Sequence, residues 1–558
     1  MGTYNNPIIP GFNPDPSIVR VGPDYFLVTS TFEYFPGVPV YHSTDLVNWT
    51  LIGHALTRRS QLDIRTPETG GGIWAPTIRW HDGVFYVTTA CFDRYRPQAD
   101  DRVWPRGFYV KTADIRDEQS WSEPVFFDQL GFDQDVRARS SNPTFRRNTS
   151  TRIALFWDDD GTVYLSTTYR KAVRSPVRPG AKPLKDFAIH VSTVDLETGT
   201  ATSRPRLVRE STVGSGVAEG SHLFKKGPWY YLFTAEGGTE GGHSEVVSRS
   251  KEGPLGPWAV CPHGPVLGGG DGEVRQTGHA DLVEGVDGRW WAVFLGVRRR
   301  AGTESAEWVG SVFGRETFLV PVTWENDWPV FNAGKKVELK GEAPGLFQIE
   351  QTAAWRDDFE ADELQLGWYR KNTPVKKDYS LTERPGYLRL YGGPYTLSTP
   401  VCPTMFLRKQ THDPVRWETR LSFCPDSPAT EAGSTVYWNS YTYSTIGIRL
   451  ISGGNKSGAR EIAFRSVSGA AAHVPLASQE SDVVLVIKSD SGYMLGFKEI
   501  FDGTEDQEVN WVGEVSSKVM TRDPEVGASF TGMTFGIYAF GETERCFVPA
   551  DFKYVEFM

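Results

Sequence analysis

Hydrophobic residues recur along roughly the first 300 positions in one phrase: a turn, two or three aromatics, then β-branched residues. It reads GPDYFLVTS at 22–30, DGVFYVTTA at 82–90, DGTVYLSTT at 160–168, KGPWYYLFT at 226–234 and DGRWWAVFL at 287–295. Asp-Gly or Gly-Pro ahead of an apolar run is a hairpin signal. With Phe26, Tyr86, Tyr164, Tyr231 and Trp291 taken as equivalent, the spacings are 60, 78, 67 and 60. A second phrase, rich in small residues and Trp, follows most of them and reads as an outer strand: YHSTDLVNW (41–49), VKTADIRDEQSW (110–121), HVSTVDLETG (190–199) and SRSKEGPLGPW (248–258). Five units of about four short strands predict a five-bladed β-propeller, since propellers have ~4–8 such blades. The alternative is a series of sandwiches with chance spacing.

Beyond about residue 335 the texture changes. Residues 332–345 are polar and rich in Gly and Lys. From 356 onward new runs such as WETRLSFCP and SDVVLVIKSD alternate apolar and polar positions, as half-buried antiparallel strands do. The expected fold is therefore all-β. A propeller domain spans 1–335, a linker 336–355, and a β-sandwich of jelly-roll or concanavalin-like type 356–558. No long amphipathic helix is expected. Tyr437, Trp438 and Tyr441 read as core and cross-strand packing rather than a sugar platform.

The spacing of 78 has a visible cause. Residues 136–154 carry five Arg, no acid and many Ser, Thr and Asn. Without these 19 residues the spacing falls to 59, so the stretch reads as an insertion. It is a surface loop, a disordered segment, or a gene-model artefact such as a retained in-frame intron.

At 558 residues the chain is too long for one ordinary core. Its net charge of −10 argues against a nucleic-acid partner, and no apolar run approaches the ~20 residues that span a membrane. Five scattered cysteines form neither a disulfide framework nor a zinc motif, leaving room for one or two bridges. Sequons at Asn48, Asn148 and Asn455 permit glycosylation. The start of the chain has no signal-peptide pattern. A mature secreted form would look the same, so an extracellular location is expected, with the cytoplasm as the alternative. No oligomeric state is read from the chain.

Three carboxylates stand near predicted strands: Asp15 in PGFNPDPSIVR, Asp133 in GFDQD and Glu219 in SGVAEGSHLFKK. Viewed singly, Asp15 and Glu219 read as turn and loop residues. The run Asp158–Asp159–Asp160–Gly161 reads as a hairpin turn facing water. Taken together, two carboxyls on either side of a sugar bond, one protonated and one ionised, are what glycoside hydrolysis needs. A third can raise the pKa of the acid.

PGFNPDPSI, STFEYFPGVPVYHSTDLVNW, GGIWAPTIRW, WDDDGTVYL, VAEGSHLFKK, TAEGGTEGGHSEVVSRS, GPLGPW and FGRETFLVPVTW, in that order, resemble glycoside hydrolase family 43 over essentially the whole chain. The resemblance implies an inverting enzyme that removes terminal β-xylosyl or α-L-arabinofuranosyl groups and requires no cofactor. By the same resemblance Asp15 is the general base, Glu219 the general acid and Asp133 the residue that tunes that acid. Phe32 and Trp74 would wall the sugar pocket, Arg315 would bind sugar hydroxyls, and Tyr169 would line the rim. Phe530 would reach in from the sandwich or serve as plain core. His279 would face a structural Ca2+ or water near the axis, or be a structural histidine. RVWPRGFYVKTADI and the STTYRK…DFAIHVSTVDL region look most like fungal-type members acting on arabinoxylan. An α-L-arabinofuranosidase on arabinoxylan is thus expected, with a β-D-xylosidase on xylo-oligosaccharides as runner-up. A non-catalytic carbohydrate-binding protein is the reading from another class.

Overall fold

The computed structural model describes all residues except 1, 67–68, 93–104, 138–157, 159, 172–186, 214–215, 240, 270–271, 299–310, 344–345, 350–353, 454–457, 502–507 and 524–528. The chain forms two compact units. One comprises 1–64, 71–302 and 315–349; the other comprises 65–70, 303–314 and 350–558. Nearly all regular structure is β-strand, and the described residues include one short α-helix, Ser517–Met520.

The first unit contains five four-stranded antiparallel sheets whose strands run in chain order from the innermost outward. The innermost strands are Ser17–Val21, Gly72–His81, Phe132–Arg137, Ala218–Lys226 and Val274–Glu284. Each neighbours the next, and the fifth returns to the first, closing a ring. Adjacent sheets share apolar cores. Val28 and Val40 pack with Ile78 and Val87 between the first two sheets, and Ile18 and Leu27 pack with Trp291 and Val293 between the first and fifth. Strands buried on both faces in this way read as short continuous apolar runs, which is the repeated phrase seen in the sequence.

The five aligned aromatics are equivalent in register. Phe26 pairs with Val19, Tyr86 with Arg79, Tyr164 with Arg137, Tyr231 with Phe224, and Trp291 with Val283. All five lie on second strands. The phrase expected to form outer strands supplies third strands instead: Gly37–Ser43, Pro105–Thr112, Phe187–Thr193 and Ser244–Ser250. A fourth strand lies outside each of them, shorter than the third in every sheet but the first.

Three expectations about the joints change. Val136 and Arg137 belong to an innermost strand, paired with Leu165 and Tyr164, so the first two residues of the odd stretch are part of the third sheet. Its remainder, from 138, lies outside the described residues. The segment expected as linker contains a strand, Lys340–Ala343, paired with Gly2–Asn5. Beside it, Asn6 Nδ2 donates to Leu319 O and Leu319 N donates to Asn6 Oδ1, both at 2.9 Å. Asn48 is not a free sequon. Its Nδ2 donates to Asp45 Oδ2 (2.6 Å) and Phe347 O (2.8 Å), and its Oδ1 accepts from Ile349 N (2.8 Å). Asn148 and Asn455 lie outside the described residues.

The second unit is a sandwich of an eight-stranded and a six-stranded antiparallel sheet. Trp417, Leu485 and Phe552 of the larger sheet meet Ile446, Phe535 and Ile537 of the smaller in one core. The rings of Trp417 and Phe535 stack at 5.9 Å. Tyr437 and Trp438 are buried, whereas Tyr441 is 44% exposed and so is not the core residue expected. None of the five cysteines is in a disulfide bond.

The ring of sheets is tied at its axis by Arg79, which is 1% exposed. Nη1 donates to Ser17 Oγ (2.8 Å) and to Asp281 Oδ2 (2.7 Å). Nη2 lies 3.1 Å from His222 Nδ1, and Nε lies 3.3 Å from Asp135 Oδ1. One guanidinium in the second sheet therefore meets the innermost strands of the other four. Burial alone would raise the pKa of Asp281, but Arg79, His222 and the hydrogen bonds from Ser17 and Arg79 hold it well below the usual range. Removing one partner of a buried ion pair strands the other charge in low dielectric, at a cost of about 3–5 kcal/mol. We expect Arg79→Met to lower unfolding free energy by about that amount in chemical denaturation. Arg289→Met, at a pair with Asp287 that is largely open to solvent, should cost under about 1 kcal/mol.

Candidate active site at the propeller axis

The five innermost strands start alike. Asp15, Ala75, Asp133, Gly220 and His279 have left-handed φ values of 55°, 38°, 52°, 58° and 56°. Read from those positions, the sequences are DPSI, APTI, DQDV, GSHL and HADL, with a polar third residue and an aliphatic fourth. In sheets two to five the register shifts at or beside this point. Such bulges bend a strand and re-aim side chains. A non-glycine residue held at positive φ costs on the order of 1–3 kcal/mol and is concentrated at functional sites. Four of these five positions carry that cost.

The bulges bring the predicted carboxylates together. Asp133 Oδ2 accepts the N–H of Gly220 at 2.8 Å, and Gly220 follows Glu219, itself half-buried near the start of its strand. The Asp133 carboxyl is pushed well above its ordinary range. Burial is the main cause and the charge of Glu219 the second; Asp15 adds a little, while the Gly220 N–H and Arg315 oppose. Asp15 Oδ2 accepts from Ser30 Oγ at 2.6 Å. Its Oδ1 lies 3.4 Å from Arg315 Nη1 and 3.5 Å from His279 Nδ1. At Gly220 the left-handed φ costs a glycine nothing, and a Cβ there would lie 2.9 Å from His279 Nδ1.

The aromatic residues adjoin these acids. Arg315 sits over the Phe32 ring at 5.4 Å. Phe32 meets Trp74 edge-on at 6.5 Å, and Trp74 meets Phe132, the neighbour of Asp133, at 5.6 Å. Tyr169 is half-buried and pairs with Ala188, one step along from Thr168, which pairs with Phe132. Phe530 is half-buried in the second unit, next to Ser529, whose Oγ accepts from Asn439 Nδ2 at 2.9 Å.

His279 was expected to face a metal ion or water. Burial and Arg315 lower its pKa, with Asp15 opposing, and its ring lies 5.7 Å from that of His222. The buried His243 nearby is lowered to about 4. Among the described residues no group of three or more His, Cys, Asp and Glu is arranged to hold a metal ion. The described groups around His279 include the imidazoles of His222 and His243 and the carboxylates of Asp15 and Asp281, which already face Arg315 and Arg79. That set suits calcium poorly, since calcium takes six to eight oxygens.

The strand directions assign the rest of the site. Innermost strands start at this end, so antiparallel second strands finish here. The described residues that connect second to third strands therefore lie at the same end. Phe32 and Arg315 come from two of these connections. Thr239, absent from the sequence reading, comes from a third, and its Oγ1 accepts from Arg315 Nη1 at 2.7 Å. Asp135, His222 and Asp281 were also missed. The signal that would have found them is the polar third position of the five strand starts. Asp158 lies in the expected turn, but its carboxylate does not simply face water: Oδ1 accepts from Tyr230 OH at 2.8 Å and lies 3.7 Å from Lys225 Nζ. A buried carboxyl biased toward its protonated form, beside two others and one arginine, is suited to acid–base catalysis.

Comparison with known proteins agrees with this chemistry. Residues 4–329 match the profile of glycosyl hydrolases family 43. Residues 356–558 match the profile described as a beta xylosidase C-terminal concanavalin A-like domain. The chain is 34% identical to the non-reducing end alpha-L-arabinofuranosidase BoGH43B of Bacteroides ovatus, covering 100% of this chain and 94% of that protein. It is 37% identical to a xylan 1,3-beta-xylosidase of a Vibrio species over 78% of this chain and 77% of that one. A solved structure of a xylan beta-1,4-xylosidase from Bacillus halodurans superposes with a TM-score of 0.84 at 29% identity, covering 99% of both chains. The chain thus belongs to glycosyl hydrolases family 43 and is a glycoside hydrolase.

Proposed function

We propose that the enzyme removes terminal α-L-arabinofuranosyl groups from arabinoxylan with inversion. The observation that carries this reading is the match to an arabinofuranosidase along the whole chain, both units included. In the proposed reaction Asp15 takes a proton from water as the water oxygen attacks the anomeric carbon. The glycosidic C–O bond breaks on the opposite face, and Glu219 gives its proton to the departing oxygen. Asp133 keeps that proton in place: two neighbouring carboxyls cannot both ionise readily, so the pair gives up its last proton late. Arg315 binds sugar hydroxyls while its charge offsets Asp15. Phe32 and Trp74 wall the sugar, and Tyr169 lines the leaving-group side. An extracellular location goes with a polymeric substrate.

A β-D-xylosidase acting on xylo-oligosaccharides is the second reading. It is favoured by the β-xylosidase description of the C-terminal profile and by the Vibrio relative. Both sugars are terminal pentoses, and a few hydrogen bonds separate them.

Incubation with arabinoxylan and with xylo-oligosaccharides should release arabinose from the first. Release of xylose alone would move the assignment to the second reading. Proton NMR of the first-formed sugar should show the inverted anomer, and Glu219→Ala should lower kcat/KM by roughly 10²–10⁴-fold.

Asp133→Asn should separate stability from activity. The folded state raises the Asp133 pKa, so it binds this proton more tightly than the unfolded chain does. The resulting stability is full below the unfolded value and is lost as pH rises through the folded one. At neutral pH the charge therefore costs stability, and asparagine can still accept from Gly220. We expect Asp133→Asn to unfold at higher temperature at pH 7, by on the order of 1 kcal/mol, with the gain gone in acid. Its kcat/KM should fall, and the alkaline limb of its pH profile should move to lower pH.

A further inference from the structure

We propose that Asp135 is a positioning residue for the general acid, an inference that rests on the reading of Glu219 as that acid. The innermost strand of the third sheet carries Asp133 and Asp135, and both accept backbone N–H groups of the strand that bears Glu219. Asp133 Oδ2 takes the N–H of Gly220 at 2.8 Å, and Asp135 Oδ2 takes the N–H of Leu223 at 2.9 Å. Between these two anchor points lies the register shift from Glu219 to His222. The carboxylates thus grip both ends of the bulge that presents Glu219.

The two grips differ in character. The Asp133 carboxyl is biased toward its protonated form, and its charge state is part of the proposed chemistry. Asp135 is fully buried, faces the Arg79 guanidinium at 3.3 Å, and has His222 Nδ1 at 3.9 Å. It is the grip with a cation behind it. A charge-assisted bond from Leu223 N–H to a carboxylate held by arginine is stronger than its neutral counterpart. Displacing Glu219 by a fraction of an ångström from the departing oxygen would weaken proton transfer, which depends on hydrogen-bond reach. Asp135 touches no substrate atom in this scheme; it acts through the backbone of the strand beside it.

Leaving groups provide the test. A 4-nitrophenyl glycoside departs with little protonation, whereas a natural oligosaccharide departs as an alkoxide unless the acid delivers its proton. Asp135→Asn, Arg79→Lys and Glu219→Gln would be assayed on a 4-nitrophenyl pentoside and on an oligosaccharide carrying the same terminal sugar. We expect Asp135→Asn and Arg79→Lys to lose roughly tenfold more kcat on the oligosaccharide than on the aryl glycoside, with Glu219→Gln losing more still in the same direction. The ratio of the two rates does not depend on the folded fraction, so a poorly folding variant still reports. Equal losses on both substrates in Asp135→Asn and Arg79→Lys, with a split in Glu219→Gln, would overturn the positioning role. No split in Glu219→Gln would remove the acid assignment, and this proposal with it.

Discussion

A single buried guanidinium, met from every side, holds the catalytic unit in register. Arg79 lies where five strands converge, and each of the other four supplies one partner: Ser17, Asp135, His222 and Asp281. A buried ion network of this kind is weak as net stabilisation, because desolvation offsets most of the attraction. It is strong as a specification. Slipping any strand by one residue would turn its polar partner away from the axis and bury an unmatched charge. The apolar cores between sheets supply bulk cohesion but would tolerate small slips of one sheet against its neighbour. Arg79 tolerates none, and in each of the other four strands the left-handed residue stands two positions ahead of the partner that meets it.

The site built on those left-handed residues is locally unfavourable in several ways. Asp15, Ala75, Asp133 and His279 occupy backbone conformations that L-residues avoid. Asp133 is buried beside Glu219 with only a backbone N–H and a more distant Arg315 to relieve it. His279 and His243 are both held away from their charged forms. None of this would persist in an isolated hairpin. It persists because the sheets beneath are over-determined by their shared cores and by the axial network, so strain and repulsion concentrate at the one end where reacting groups are needed.

How much of this could be read from the sequence follows from where each residue packs. Second strands are buried on both faces, so their aromatic runs stand out, and all five proved equivalent in register. Innermost strands are short on apolar residues at their starts, where they carry Pro, Gly and acids. DPSI and GSHL therefore read as turns, and Asp15 and Glu219 looked ordinary until the family resemblance singled them out. Arg79 sits amid GGIWAPTIRW, where a lone arginine in an apolar strand carries no local mark of its four long-range partners. The join at Val136 misled for a related reason. Deleting 136–154 restores the spacing, but spacing counts residues and does not say which of them pair, and Val136 and Arg137 pair with Leu165 and Tyr164. Tyr441 lies two residues past the end of a strand's buried run, where alternation no longer predicts burial.

The same architecture explains why the chemistry is easier to assign than the sugar. Asp15, Asp133 and Glu219 lie at the starts of innermost strands, fixed by the axis, and in the proposed reaction a water, an anomeric carbon and a departing oxygen need nothing more particular from them. Discrimination between arabinofuranose and xylopyranose needs contacts farther out, to hydroxyls and ring shape. Among the described residues, Phe32, Thr239 and Arg315 come from connections between second and third strands and lie at this end. Those connections differ widely in length and composition from sheet to sheet. They can change without disturbing Arg79 or the strand starts, as loops on a rigid scaffold generally can. On the proposed assignment, the acids that carry out glycoside hydrolysis are held by the axis, while the groups that would choose between terminal pentoses lie in segments that the axis does not constrain.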